Sequence, residues 1–134
     1  MHCQLNENSV ILEKTDSYAS GAYSIEYFIF RIKNKRYIKA YGNWGGTVAG
    51  TATAGGIYYG NISNLSLIRD AGVTVKRVLH INLSGGDCGG IFVPGNYNGI
   101  SISSSYVAAT SINYLITSPP REINLTWDIL CEIE

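Results

Sequence analysis

The 134-residue chain has the length of one ordinary domain, and its 46% hydrophobic content is enough to build a buried core. Only 15% of the residues are charged, against roughly 25% in soluble domains, so Ser, Thr, Asn, Gly and Tyr must form much of the surface. Ten basic and ten acidic residues cancel to zero net charge, which argues against a nucleic-acid partner because phosphate binding needs surplus positive charge.

The N-terminal residues 1–8 carry neither a basic start nor an apolar run, so we expect synthesis in the cytoplasm without a signal peptide. The longest apolar stretches are far shorter than the roughly 18 residues of a membrane span, so no membrane insertion is expected. We interpret residues 1–8 as a flexible arm of a single domain that covers 1–134.

The first predicted strand covers residues 22–33, an apolar and aromatic run in which alternate residues are packed. Asn34-Lys35 is predicted to be a two-residue hairpin turn, because Asn tolerates the positive φ that such a turn requires. The partner strand, 36–41, directs one set of side chains to each face. Tyr37, Lys39 and Tyr41 share one face, and Ile38 and Ala40 share the other.

The middle of the chain is predicted to contain short strands separated by glycine turns. Residues 42–60 are rich in Gly, Ala and Thr, with breaks at Gly45-Gly46 and Gly55-Gly56. Val73 to Leu83 alternates as a longer strand with His80 on its more polar face, and a glycine-rich loop follows. Further short strands are predicted at 91–93, 100–103, 106–108 and 112–116.

The sharpest alternation is at the end of the chain, after Pro119-Pro120, which cannot donate to a strand ladder. One face of this predicted strand is apolar and the other mostly polar, which is typical of a strand between core and water. The apolar face is Ile123, Leu125, Trp127, Ile129, Cys131 and Ile133. Around ten short strands predict an all-β fold that is a sandwich or barrel-like, and we expect an antiparallel β-sandwich of short strands.

Convergent catalytic groups are scarce, so we expect a protein that is not an enzyme. A nucleophilic pair of Cys88 and His80 is conceivable, but Cys88 is more simply a turn residue and His80 a surface residue. Asp128 is the carboxylate of most interest for a polysaccharide hydrolase, because it follows Trp127 on a regular strand.

Metal and cofactor sites have no sequence support. Cys3, Cys88 and Cys131 match no disulfide or metal-binding spacing, so we expect three reduced thiols with at least one buried. The glycine pairs are not followed by the residues of a phosphate-binding loop. We therefore expect no cofactor and no metal, although one residue per subunit at a trimer axis would escape this reasoning.

Tyrosines are the remaining candidates for a binding surface, because the weakly charged chain contains ten of them. Tyr beside Asn, Ser and Gly is typical of adaptable recognition surfaces, and aromatic rings also stack on sugars. The same tyrosines would equally suit core rims and a subunit interface. The predicted ligand-binding residues, assigned to loops, are Tyr58, Tyr59, Asp87, Asn96, Tyr97, Asn98 and Tyr106.

The order of these elements resembles the C-terminal domains of bacteriophage tail fibres and related H-type-lectin-like modules. Trp44-Gly45 after the first hairpin and Trp127 in the last strand occupy the two places where those domains carry a Trp-Gly and an apolar-x-Trp strand. The resemblance covers residues 22–134. It departs at Val73-Thr74-Val75-Lys76, where the family has a proline-containing strand start.

The resemblance implies a homotrimer, with a six- or seven-stranded β-sandwich per subunit, that attaches a virion tail to a host cell-surface polysaccharide or protein. It implies no catalytic residues. Three alternatives remain open at this point: a purely structural trimerising tip, a small free-standing lectin, and a polysaccharide hydrolase.

Overall fold

A computed structural model describes residues 9–85, 99–103 and 106–134, and these residues form nine β-strands and one short 3-10 turn. Seven strands are 10 to 14 residues long: β1 (Val10–Ser20), β2 (Tyr23–Ile32), β3 (Lys35–Val48), β5 (Ile57–Arg69), β6 (Val75–Gly85), β8 (Tyr106–Thr117) and β9 (Arg121–Ile133). The two short strands are β4 (Thr51–Ala52) and β7 (Ile100–Ile102), and the 3-10 turn is Ala54–Gly56.

The strands form two antiparallel sheets, which confirms the all-β prediction. Sheet A has the order β1-β2-β3-β9-β6, and sheet B has the order β4-β5-β8-β7. Their inner faces contribute to one hydrophobic core, as expected of a β-sandwich. Within the part of the chain that the structure describes, two side-chain hydrogen bonds join strands of the two sheets: Trp127 Nε1 donates to Leu67 O at 3.0 Å, and Tyr23 OH donates to Ser66 O at 2.5 Å.

Strand β9 confirms the predicted alternation, because all six residues of its apolar face are buried. It lies between the central strand β3 and the edge strand β6 of sheet A. The start after Pro119-Pro120 and the burial of Cys131 are also confirmed. The exception is Glu132, which was assigned to the polar face but is only 5% exposed and accepts a 2.8 Å hydrogen bond from Arg77.

The prediction of short strands was wrong, because glycine does not break the long strands here. Gly45-Gly46 lies inside β3 and pairs with Asn124 and Ile123 of β9. These glycines make room for neighbouring side chains: a Cβ at Gly46 would lie 2.5 Å from the Trp44 ring, and one at Gly45 would lie 2.7 Å from Asn124 Oδ1. Gly55-Gly56 is a true break, with φ values of +73° and +74°. Residues 106–108 and 112–116 likewise belong to the single strand β8.

Two further predictions, the position of the β2–β3 turn and the regular alternation of β6, were wrong. The β2–β3 turn is Lys33-Asn34 instead of Asn34-Lys35, and the positive φ of +57° falls on Lys33. Strand β6 carries two register shifts against β9, one between Val75 and Arg77 and one between Val78 and His80. These bulges interrupt the simple alternation, so Leu79 is 45% exposed instead of packed.

Strand β1 was not predicted, because its residues do not alternate. It pairs with β2 alone at the edge of sheet A, and Val10 and Leu12 are about 60% exposed. The predicted arm at 1–8 and the predicted strand at 91–93 lie outside the described residues. No helix in the described part of the chain is long and apolar enough to cross a membrane.

Candidate functional site

The predicted ligand-binding residues do not form one site among those that the structure describes. Tyr58 and Tyr59 are consecutive residues of β5 instead of loop residues, so their side chains point to opposite faces of sheet B. Tyr58 is half-buried against the core, whereas Tyr59 is exposed and donates to Asn113 Oδ1 at 2.8 Å. Of the other five, Tyr106 is the first residue of β8, and four lie outside the described residues: Asp87, Asn96, Tyr97 and Asn98.

Tyr106 is far from this pair. It is 40% exposed and pairs with Arg69, ten residues along β5 from Tyr59, which corresponds to about 33 Å of strand. It borders a depression of about 210 Å³ together with Ser66, Arg69 and Asp70. Tyr59 and Tyr106 are therefore too far apart to share a site. The rest of the predicted loop site is untested, because its residues lie outside the described part of the chain.

The structure brings a different set of side chains together on the outer face of sheet A. Cross-strand pairing places one residue of each strand in a single row, whose side chains all leave the sheet on the same side. The row across β1, β2, β3, β9 and β6 is Ser17, Glu26, Tyr41, Asp128 and Asn82. We call this row and the next one, Ala19, Ser24, Asn43, Thr126 and Ser84, the Tyr41 surface.

Tyr41 is the centre of this surface. Its side chain is 46% exposed, and Glu26 and Asp128 are its neighbours on the two adjoining strands. The Tyr41 ring lies 6.2 Å from the Phe28 ring and 5.4 Å from Lys39 Nζ, so packing on one side holds it in place. The ring is therefore a fixed aromatic platform that remains open to solvent.

Three depressions of the protein surface border on Tyr41. One, of about 430 Å³, lies towards β1 and β2 and includes Glu26 and Phe28. A second, of about 490 Å³, includes Ser24 and Asn43. The third, of about 210 Å³, lies towards β9 and β6 and includes Asn82 and Asp128. Together their linings include residues of all five strands of sheet A and combine polar with apolar surface.

Asp128 is the most strongly contacted carboxylate of this surface. Its Oδ1 lies 3.4 Å from His80 Nε2 and 3.9 Å from Lys39 Nζ. That oxygen is buried and accepts no hydrogen bond within the part of the chain that the structure describes. The sequence analysis singled out His80 and Asp128 separately, and the structure places them side by side.

The sequence did not identify the Tyr41 surface as a site. The alternation in β3 does place Tyr41 on the face opposite the core. Glu26 becomes a neighbour of Tyr41 through the β2–β3 hairpin, whereas Asp128 is far away in the sequence and becomes adjacent only because β9 pairs with β3. A sheet order that inserts the last strand beside the third cannot be deduced from the alternation of either strand.

The surface has the donors and acceptors to bind hydroxyl groups, but it does not resemble a metal site. Across residues 9–85, 99–103 and 106–134, no three His, Cys, Asp or Glu side chains cluster closely enough to hold a metal ion. Cys88, the proposed partner of His80, lies outside these ranges. No family model matches this chain, and no curated protein and no solved structure matches it.

Proposed function

We propose that this chain is a non-catalytic module that binds a carbohydrate on the Tyr41 surface. The observation that supports it is the exposed Tyr41 ring, which lies between two carboxylates in one cross-strand row and borders three depressions. Aromatic faces pack against the C–H groups of sugar rings, while carboxylate and amide groups hydrogen-bond the hydroxyl groups around them.

The chemistry around the ring suits a polyhydroxylated ligand better than an apolar or strongly charged one. Glu26 and Asp128 supply acceptors, and Asn43 and Asn82 supply both donors and acceptors. Lys39 lies close to Asp128 and offsets part of its charge, and His80 Nε2 lies 3.4 Å from the same carboxylate oxygen. A face of mixed polarity on a chain of zero net charge has no field that would attract a polyanion.

The biological setting follows from the resemblance to tail fibres and is part of the proposal. In that setting the module lies at the tip of a homotrimeric virion tail and attaches it to a host cell-surface polysaccharide. A free-standing lectin would use the same surface. A purely structural tip would bind no glycan at all.

The contact between His80 and Asp128 favours one further candidate, a polysaccharide hydrolase. A retaining or inverting glycosidase requires two carboxyl groups about 5 to 9.5 Å apart on either side of the bond. Glu26 and Asp128 lie on strands two positions apart in sheet A, about 10 Å between the strand axes, and the exposed Tyr41 side chain stands between them in the same row. Binding without cleavage is therefore the function we propose.

The test is a glycan array probed with the purified chain, followed by calorimetry on the best oligosaccharide. We expect Tyr41→Ala to weaken binding about tenfold or more, because it removes the central stacking ring. Tyr106→Ala is the matched control, because Tyr106 is also a tyrosine exposed by 40% and lies on the other sheet. If Tyr41→Ala binds the glycan with wild-type affinity and Tyr106→Ala does not, the binding site is not on sheet A.

Shortening of the oligosaccharide during the titration would instead support the hydrolase. Mass spectrometry of the ligand after long incubation detects it. We expect the ligand to be recovered intact, with wild type and with Asp128→Asn alike.

A further inference from the structure

Charge is distributed very unevenly between the two sheets. Every strand of sheet A carries at least two charged residues. The described strands of sheet B, β4, β5, β7 and β8, contain a single one, Arg69. In the sequence this corresponds to two long runs without Asp, Glu, Lys or Arg, residues 40–68 and 88–120.

The one charge of sheet B is held at the end of the strand. Arg69 is the last residue of β5, and its guanidinium carbon lies 4.5 Å from the centre of the Tyr18 ring. It also contacts Asp70, with 3.4 Å between Nε and Oδ2. The outer face of sheet B is therefore uncharged along the middle of β5 and β8.

A network of uncharged polar side chains covers this face. Asn113 Oδ1 accepts hydrogen bonds from Tyr59 OH at 2.8 Å and from Asn61 Nδ2 at 2.9 Å. Asn61 Nδ2 also donates to Ser111 Oγ, and Asn61 Oδ1 accepts from Ser63 Oγ at 3.2 Å. We call these five residues, Tyr59, Asn61, Ser63, Ser111 and Asn113, the amide face. The bonds between them hold its side chains in a fixed arrangement.

We propose that the amide face is the surface through which a second copy of this chain binds. Hydroxyl and carboxamide groups are both donors and acceptors, so a face built from them can hydrogen-bond to its own copy. The absence of charge removes the like-charge repulsion that two identical charged faces would meet. Depletion of charged residues, with tyrosine present, is also the composition of interface centres.

This choice of partner follows from electrostatics. A strongly acidic or basic partner would find no counter-charge on the amide face, whereas another copy of the same face is complementary to it. Apart from Arg69 at the end of β5, the charged residues of the described strands belong to sheet A, as does the Tyr41 surface. Association through sheet B would leave that surface open on each copy.

The inference deepens the proposed function, because it names the face through which copies of the chain associate, but it does not rest on glycan binding. If both hold, each assembly carries two or more Tyr41 surfaces, which would raise its avidity for a repeating polysaccharide without any new contact. Self-association can be measured without a glycan, so failure of one proposal leaves the other standing.

Sedimentation equilibrium of the full chain over a wide concentration range is the test. We expect the wild-type chain to have a mass of two or more protomers. Asn113→Asp should weaken this association about tenfold or more, because each copy brings a negative charge to the contact. The substitution keeps the oxygen that accepts from Tyr59 and Asn61, so the fold should be retained.

Two further variants complete the experiment. Ser63→Lys introduces the opposite charge at an exposed residue of the same face and should also dissociate the assembly. Asn34→Asp makes the same chemical change as Asn113→Asp in the exposed β2–β3 turn and should leave the mass unchanged. A wild-type monomer at the highest soluble concentration would overturn the proposal, and so would an assembly that survives both Asn113→Asp and Ser63→Lys.

Discussion

Gly42 lies against the indole of Trp127, so closely that a Cβ at position 42 would stand 2.2 Å from the Trp127 atoms Cε2 and Cζ2. The two residues are cross-strand partners of β3 and β9. The pair explains why β3 carries a glycine beside Tyr41 without ending there. The Trp127 ring packs beneath the two strands that carry Tyr41 and Asp128, on the face opposite the Tyr41 surface.

Gly42→Ala should destabilise the fold, because the added methyl group meets a buried ring that has no space to move. Overpacking of this kind costs about 1 to 3 kcal/mol, which urea denaturation would detect as a lower midpoint. Asn43→Ala is the control on the exposed face of the same strand, and its effect should stay within about 0.5 kcal/mol. Equal stabilities of the two variants would show that the ring and the glycine are not in contact.

Trp127→Phe tests the hydrogen bond that joins the sheets. Phenylalanine fills part of the indole volume but leaves Leu67 O without the donor that Trp127 Nε1 supplies. We expect a loss of about 1 to 3 kcal/mol in the free energy of unfolding for the unpaired carbonyl. Trp127→Ala should cost about 3 to 5 kcal/mol. A near-neutral Trp127→Ala would mean that the ring is not in the core.

Glu132 should make the free energy of unfolding depend on pH in the acid range. Burial opposes ionisation of its carboxyl group, but the hydrogen bond from Arg77 and the charges of Arg77 and Lys76 hold its pKa below the usual 4.5. A lowered pKa stabilises the fold above pH 4.5, and this contribution is lost as the pH falls through the lower folded value. Glu132→Gln should therefore reduce the slope of unfolding free energy against pH in this acid range.

The slope should be reduced but not abolished. The hydrogen bond from Arg36 also lowers the pKa of Glu13, and the backbone N–H of Ser17 lowers that of Asp16. Denaturant titrations at a series of pH values compare the two proteins. Superimposable pH profiles of wild type and Glu132→Gln would contradict this account of the buried carboxylate.

Cys131 should be inert to thiol reagents in the folded chain. Burial raises the pKa of its thiol to about 12, and only the thiolate reacts. In a background with Cys3→Ser and Cys88→Ser, we expect labelling in denaturant but not in native buffer at pH 8. Rapid labelling of the native protein would show that the β9 core is open to solvent.

The same shift predicts alkaline sensitivity. Because the folded pKa of Cys131 lies above the usual 9.0, the stabilisation of the neutral thiol is complete below pH 9. It is lost progressively as the pH rises from 9 towards 12. Cys131→Ala should remove this component of the pH dependence while also creating a small cavity.

The fold class and strand β9 could be predicted from the sequence because alternation depends on a single strand and its two environments. Strand lengths could not, because a glycine that ends a strand and a glycine that accommodates a ring look alike until the ring is placed, as Gly46 and Trp44 show. Bulges in β6 were equally hidden, since they shift the alternation without any residue that marks them.

The candidate site was harder to predict than the fold. The sequence predicts the correct face for Tyr41 and singles out Asp128 and His80 separately. The three residues are close together only because β9 lies between β3 and β6. The tyrosines that sequence reasoning preferred, Tyr58 and Tyr59, were assigned to a loop because Gly55-Gly56 precedes them. The structure shows that this break ends just before β5 begins.

The location of the glycan site is tested most directly by an NMR titration of the wild-type chain with the oligosaccharide selected on the array. We predict that the largest amide shifts fall on the strands of the Tyr41 surface, around Glu26, Asn43 and Thr126. The amides of the opposite sheet, such as those of Asn61 and Asn113, should stay in place. Shifts confined to sheet B, or no shift with any glycan on the array, would contradict the account.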